Sequence, residues 1–179
     1  MTARPIWPNE LLRLAGRLAG ENAGRGKPRT VDLRRSISTA YYALFHELII
    51  QATRVLVGEG GVGKAGTSPA TRWFDHGQIK ALAEAATGVG QKARAIAPVL
   101  GNPHPDLKRV ADAFVTLQSA RQLADYDHNY NVTRREARYY VEQAREAIRT
   151  ARRLRDTEEV SYQRFLRLMV GAVEIAKNR

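Results

Sequence analysis

The stretch Thr30–Val57, TVDLRRSISTAYYALFHELIIQATRVLV, decides the fold class. Its apolar positions Ile37, Tyr41, Leu44, Phe45, Leu48, Ala52 and Val55 follow one another at intervals of 4, 3, 1, 3, 4 and 3 residues. That spacing draws one stripe along an α-helix. A strand would alternate with a period of two, and no segment of the chain sustains that alternation.

Outward from this helix the same period recurs. Upstream, Leu11, Leu12, Leu14, Ala15, Leu18 and Ala19 follow Pro8-Asn9, with Asn9 the expected N-cap, and glycines loosen this helix into a basic turn at Arg25–Arg29. Downstream, His76-Gly77 opens a short helix through Ile79, Leu82 and Ala83. The segment from Thr87 to Asp106 holds three glycines and three prolines and reads as turns. A fourth helix is expected from about Asp106, with Leu107, Val110, Ala111, Phe114, Leu117 and Leu123 facing inward. Thr133-Arg134-Arg135-Glu136 is a capping box opening a fifth, which runs to about Arg155. Asp156-Thr157-Glu158-Glu159 supplies acceptors and negative charge for a sixth, through Phe165, Leu168, Met169, Val173 and Ile175. The expectation is an all-α, up-and-down bundle of five or six helices. Residues 1–29 form an N-terminal helical extension, 30–155 the bundle, and 156–179 a C-terminal helix packing on it.

Composition narrows the chemistry. The 179 residues are 44% hydrophobic, enough for a packed core. With no cysteine the chain has no disulfide, thiolate nucleophile, zinc finger or iron–sulfur cluster, which suits a reducing cytoplasm. The N-terminus, MTARPIWPNE, lacks the apolar run of a signal peptide, and His46, Glu47, Gln51 and Arg54 interrupt the longest apolar stretch. A soluble cytoplasmic protein without membrane contact is therefore expected. Lys and Arg number 29 against 18 Asp and Glu, a net charge of +11. A polyanion is the first partner such a charge suggests, because each neutralised phosphate releases counterions. An inert basic surface is the equal alternative.

Gly58-Glu59-Gly60-Gly61-Val62-Gly63-Lys64 matches the GxxxxGK phosphate loop in letters only. The preceding segment is helical, the next residue is Ala65 rather than Ser or Thr, and Gly66 with Pro69 opposes a following helix. It reads as a linker.

Ser119–Tyr130, SARQLADYDHNY, carries more. On a continuous helix, residues seven apart differ by about 700° of rotation, so Arg121 and His128 would share a face about 10.5 Å apart, with Asp125 between them. An Arg, a carboxylate and a His projecting together can perform acid–base chemistry on a phosphate. A surface Arg–Asp pair with a His near a helix end is the plainer alternative.

Arg121, six intervening residues, then His128, Asn129 and Tyr130 resemble the R-x4-6-H-x-Y motif of HEPN proteins, the higher eukaryotes and prokaryotes nucleotide-binding domains. The Arg-x-x-Ala-Asp-Tyr run at Arg121, Ala124, Asp125 and Tyr126 is similar to one bacterial, toxin-like branch. So is Ser38-Thr39-Ala40-Tyr41-Tyr42-Ala43-Leu44-Phe45-His46, where that branch has an Ala-Tyr-Tyr-Ala-x-Phe-His run. The resemblance spans about Val31 to Leu154. It implies a helical bundle that dimerises and, in many members, a metal-independent endoribonuclease whose two Arg-x4-6-His segments meet in a composite cleft. Many bacterial members are toxins paired with a nucleotidyltransferase antitoxin, which in some modifies the motif tyrosine with AMP. Carried over, the catalytic roles fall on Arg121 and His128, with Asp125, Tyr130 and Gln122 supporting. Gln122 stands where active members often have Asn, Asp or His; it keeps polarity but does not titrate. RNA, a second copy and an antitoxin are the implied partners, and no cofactor or metal is.

The chemistry is coherent in physical terms. RNA carries its own nucleophile, the 2′-hydroxyl. An imidazole with a pKa near neutrality can take that proton or protonate the leaving 5′-oxygen. A forked, permanently charged guanidinium can hold the non-bridging oxygens as charge builds at phosphorus. The four histidines, His46, His76, His104 and His128, lack metal-ligand spacing. The product would carry a 2′,3′-cyclic phosphate. The alternative is a catalytically silent HEPN-like module that binds RNA, nucleotides or a partner protein. A basic DNA-binding protein is a third reading, without a helix-turn-helix signature to support it.

Tyr42 and His46 share a face and could flank a cleft, or could form a structural aromatic pair. His76 reads as a helix-start residue. Arg138, Arg145, Arg149 and Arg152 fall along one stripe of the fifth helix, with the first three the expected RNA contacts; Glu142 and Glu146 interrupt the stripe, so a salt-bridged solvated face is equally open. Tyr139 and Tyr140 read as packing residues.

Overall fold

A computed structural model describes residues 7–21, 26–61 and 69–177. It is an all-α bundle, 79% helical, with eight helices and no strand among the described residues. In order these are α1 (Pro8–Leu18), α2 (Thr30–Gly61), a 3-10 turn (Pro69–Trp73), α3 (His76–Thr87), α4 (Ala93–Leu100), α5 (Pro105–Tyr126), α6 (Arg134–Asp156), α7 (Val160–Leu168) and α8 (Ala172–Lys177).

The centre is α2, against which α1, α5, α6 and α7 pack. Its stripe from Ile37 to Ala52 is buried, and so are Ser36, Ala40, Ala43 and Thr53, so the helix is enclosed on several sides at once. Small residues let neighbours come close: the Ser36 hydroxyl donates to the carbonyl of Ala15 at 2.8 Å. Gly58, at φ 74° and ψ 169°, breaks the helical run just after Val57, the end that the sequence indicates. The last part of the GxxxxGK lookalike lies among residues 62–68, outside the described residues.

Helix starts follow local chemistry. Asp75 caps α3, its Oδ1 accepting from the amides of Gly77 and Gln78 at 2.8 and 3.1 Å. Thr133 and Glu136 form the expected reciprocal capping box at α6, and Glu159 caps α7 through the amide of Tyr162 at 2.7 Å. At α1 the expected Asn9 cap is replaced by Trp7: Pro8, which has no amide hydrogen to satisfy, takes the first helical position. The Asn9 carboxamide accepts from Arg152 Nη2 instead, at 3.0 Å.

Three other expectations change. The turn-like stretch before Asp106 contains α4, because Ala93, Ile96 and Leu100, three and four apart, bury one face, and this outweighs the hydrogen bond lost at Pro98. The single C-terminal helix is two, α7 and α8, divided by the turn at Met169–Gly171. Leu123 points outward, and the buried line of α5 continues through Ala120 and Ala124. Among the described residues, eight helices therefore stand where five or six are read from the sequence.

The described part of the N-terminal extension belongs to the same core, with Ala15 and Ala19 fully buried. Gly20, at φ 76° in the left-handed region, presents its carbonyl to Arg134 and Arg138, whose Nη2 atoms donate at 2.5 and 2.6 Å. Near the other end of α6 a polar chain runs from Arg152 into the core. The Glu47 carboxylate accepts from Arg152 at 2.6 and 3.1 Å and from Gln51 at 2.7 Å, and Gln51 accepts from the buried Tyr162 hydroxyl at 2.8 Å.

Candidate functional site

The site forms where the last turn of α5 crosses α2. Arg121 and Asp125, four apart on α5, pair through Nε and Oδ2 at 2.8 Å. Ser38 and Tyr42, four apart on α2, meet that pair. The Ser38 hydroxyl donates to Asp125 Oδ1 at 2.5 Å, and Arg121 Nη2 donates to the Tyr42 hydroxyl at 3.0 Å. Arg35, one turn earlier on α2, brings Nη1 to 3.9 Å from Asp125. The two sequence motifs, far apart in the chain, thus make one constellation.

The Arg121 guanidinium carbon lies 5.9, 5.4 and 5.7 Å from the ring centres of Tyr41, Tyr42 and Tyr126, within cation–π range of all three. Burial works against its charge, but Tyr42, Asp125 and Tyr126 outweigh burial, and its pKa lies above the ordinary arginine value. The side chains of Arg121 and Asp125 keep 17% and 16% of their surface in solvent. The guanidinium is therefore charged and oriented on two sides, with part of its side chain in solvent.

Behind it the Tyr41 hydroxyl lies 2.5 Å from His76 Nδ1, and the His76 ring stacks on Phe45 at 4.0 Å. His76 is the first residue of α3, the helix-start position the sequence indicates. Its place beside Tyr41 and Arg121 has no signal in the sequence, because the contact spans 35 residues of unrelated pattern. Burial lowers the pKa of both His46 and His76; His76 lowers that of His46 further, and Arg121 lowers that of His76, against Asp75.

Unfolded histidine titrates near pH 6.5. Folded pKa values below this mean that, as pH falls from about 6.5 through them, the unfolded chain binds more protons and stability is lost. Thermal melts should give a lower Tm at about pH 5.5 than at about pH 7.5. The drop should shrink in a His46→Gln/His76→Gln variant; an equal drop in that variant would contradict the assignment.

His128 does not share a helical face with Arg121, which corrects the expected geometry. The helix stops at Tyr126, and Asp127 turns extended at φ −87° and ψ 108°. The Asp127 carboxylate accepts from the Asn129 amide at 2.9 Å and its carbonyl from the Tyr130 amide at 3.2 Å, a local alternative to helical bonding. Arg34 fixes this turn from α2, donating to the carbonyls of Ala124 and Asp127 at 2.7 Å each. His128 is exposed on it. Gln122 is exposed on α5, and Tyr130 is half-buried. Burial, with Tyr140 and Glu136 nearby, pushes the Tyr130 phenol up to about 12.

The three α6 arginines expected to touch RNA are engaged otherwise. Arg138 donates to Gly20, and Arg145 holds Glu21 at 2.5 and 2.8 Å. Arg149 pairs with Glu142 and Glu146 at 3.1 and 2.6 Å. Arg149 matches the salt-bridged face left open by the sequence, while Arg138 and Arg145 tie α6 to the turn after α1. Sequence reasoning missed Ser38, Arg35 and Arg34 as parts of the site; only the Arg-x-x-x-Ser-x-x-x-Tyr spacing of Arg34, Ser38 and Tyr42 along one helix hinted at them.

Among the described residues, no cluster of three His, Asp or Glu is placed to hold a metal ion, and no helix is long and apolar enough to cross a membrane. Comparison with family models, curated proteins and solved structures found no match to this chain.

Proposed function

We propose that the chain is a HEPN-type, metal-independent endoribonuclease that acts as a homodimer, the toxin of a toxin–antitoxin or defence pair. The observation that carries this reading is the Arg121 guanidinium, kept charged and held by Asp125 and Tyr42 while its side chain keeps 17% of its surface in solvent. A group so held binds the non-bridging oxygens of a phosphodiester without reorganising as negative charge grows there. Asp125 is the positioning residue, itself anchored by Ser38.

In the proposed reaction the 2′-hydroxyl of RNA loses its proton to His128 as its oxygen bonds to phosphorus. The bond from phosphorus to the 5′-oxygen breaks, and that oxygen takes a proton from the second imidazole of the dimer or from water. The products are a 2′,3′-cyclic phosphate and a free 5′-hydroxyl. Arg34 keeps the His128 turn in place through the end of α5. Leu123 and Tyr126, large exposed apolar side chains in the last turn of α5, suit the dimer contact, which would bring a second His128 to the cleft. Tyr130 is the position that a nucleotidyltransferase antitoxin would modify. The net charge of +11 favours capture of RNA.

Incubation of the purified chain with single-stranded RNA in EDTA is expected to yield 2′,3′-cyclic phosphate ends, and DNA of the same sequence to stay intact for want of the nucleophile. RNA bound but left whole would instead mark a silent HEPN-like binding module.

A further inference from the structure

The groove between α1 and α2 has no role in the chemistry just described, yet it opens beside it. Its volume is about 590 Å³, within the range of about 300–1,000 Å³ typical of small-ligand clefts. Leu11, Leu14 and Leu18, three and four apart on α1, form one wall. Thr39, Tyr42 and His46 of α2 form the other. Leu14 is 38% exposed, about 100° around α1 from the fully buried Ala15. The apolar surface of this short helix therefore extends past the part that the core covers.

We propose that this groove is a nucleobase subsite, which takes the base next to the scissile phosphate of a single-stranded RNA. The proposal rests on the ribonuclease reading and deepens it. Tyr42 joins the two places: its ring lines the groove and its hydroxyl accepts from Arg121. A base lying on that ring stands one residue away from the guanidinium that would hold its phosphate. Arg35 and Ser38 line the same groove, and both reach Asp125, so the cationic end of the groove is the catalytic end.

A nucleobase matches this lining better than an aliphatic group or an anion. It offers a flat π-face to Tyr42 and His46 and an apolar body to the leucines. The Thr39 hydroxyl already donates to the carbonyl of Arg35 at 2.7 Å, so it is left to accept, which suits an N–H of a base edge. Among the described residues, the groove is lined by no carboxylate that would repel the neighbouring phosphates.

The test is equilibrium binding of the full chain to a labelled 2′-O-methylated oligoribonucleotide, which cannot be cleaved, read by fluorescence anisotropy. Leu14→Gln is a neutral change at an exposed position. It should weaken binding about three- to fivefold, and Leu11→Gln/Leu14→Gln about tenfold. An abasic oligomer of the same length should bind weakly and equally to all three proteins. Binding of intact RNA unchanged by Leu14→Gln, or equal affinity for the abasic oligomer, would overturn the subsite. So would dissociation of a dimer by Leu14→Gln in sedimentation, which would make the groove an interface between copies. If the uncleavable RNA follows the expected series but natural RNA is never cut, the ribonuclease reading falls and the subsite stands.

Discussion

Replacement of Arg121 by alanine should lower RNA cleavage at least about a thousandfold and leave the helical bundle folded. The size follows from comparable groups: one donor to a developing oxyanion is worth about a hundred- to a thousandfold, and a charged guanidinium on a phosphoryl group about a thousandfold or more. The fold survives because Asp125 retains the Ser38 hydroxyl at 2.5 Å and the exposed Arg35 nearby, so no carboxylate is stranded. Lysine at this position should rescue little, since an ammonium does not reach Asp125 and Tyr42 together with a substrate oxygen. His128→Ala should fall by about a hundred- to ten-thousandfold, the range of general acid–base catalysis, with circular dichroism and oligomeric state unchanged. Cleavage by the Arg121→Ala protein at the wild-type rate would end the catalytic assignment.

The largest stability effect is expected at Arg152. Its guanidinium grips Glu47 with two hydrogen bonds, and the Glu47 side chain is only 6% exposed against 33% for Arg152. Arg152→Met leaves that carboxylate in the core with Gln51 its remaining hydrogen-bond donor among those described. Breaking a buried pair from one side costs about 3–5 kcal/mol, and the partial exposure of Arg152 reduces this to about 2–4 kcal/mol. Urea denaturation measures it. Adding Glu47→Gln to Arg152→Met removes the stranded charge and should recover about half of the loss. A single Arg152→Met variant within about 0.5 kcal/mol of wild type would show that water already reaches Glu47.

The two sites differ in how far the sequence announces them. The period of α2 and the capping box at Thr133 declare themselves locally, because each is a matter of neighbours three or four residues apart. The i, i+4 relation of Arg121 to Asp125 is equally local, and the structure keeps it. Beyond Tyr126 local reasoning fails. Asp127 turns the chain by bonding to the amide of Asn129, and Arg34, more than 90 residues earlier, secures the turn. No helical wheel drawn through His128 anticipates that. The partners of Arg138 and Arg145 are hidden for the same reason: a stripe of charge is drawn in one dimension, while Gly20 and Glu21 approach it only in three.

What the sequence by itself determines is the all-α class with its long striped helices, the chain's strong positive charge, and the pairing of Arg121 with a carboxylate one turn later. These depend on side-chain type and on a fixed rise per residue. Only the tertiary structure decides that Ser38 and Tyr42 complete the Arg121 site, that His128 leaves the helix, and that α1 lays a leucine-lined groove against Tyr42. Those outcomes depend on which helices cross and at what height, a choice made by the whole core packing at once.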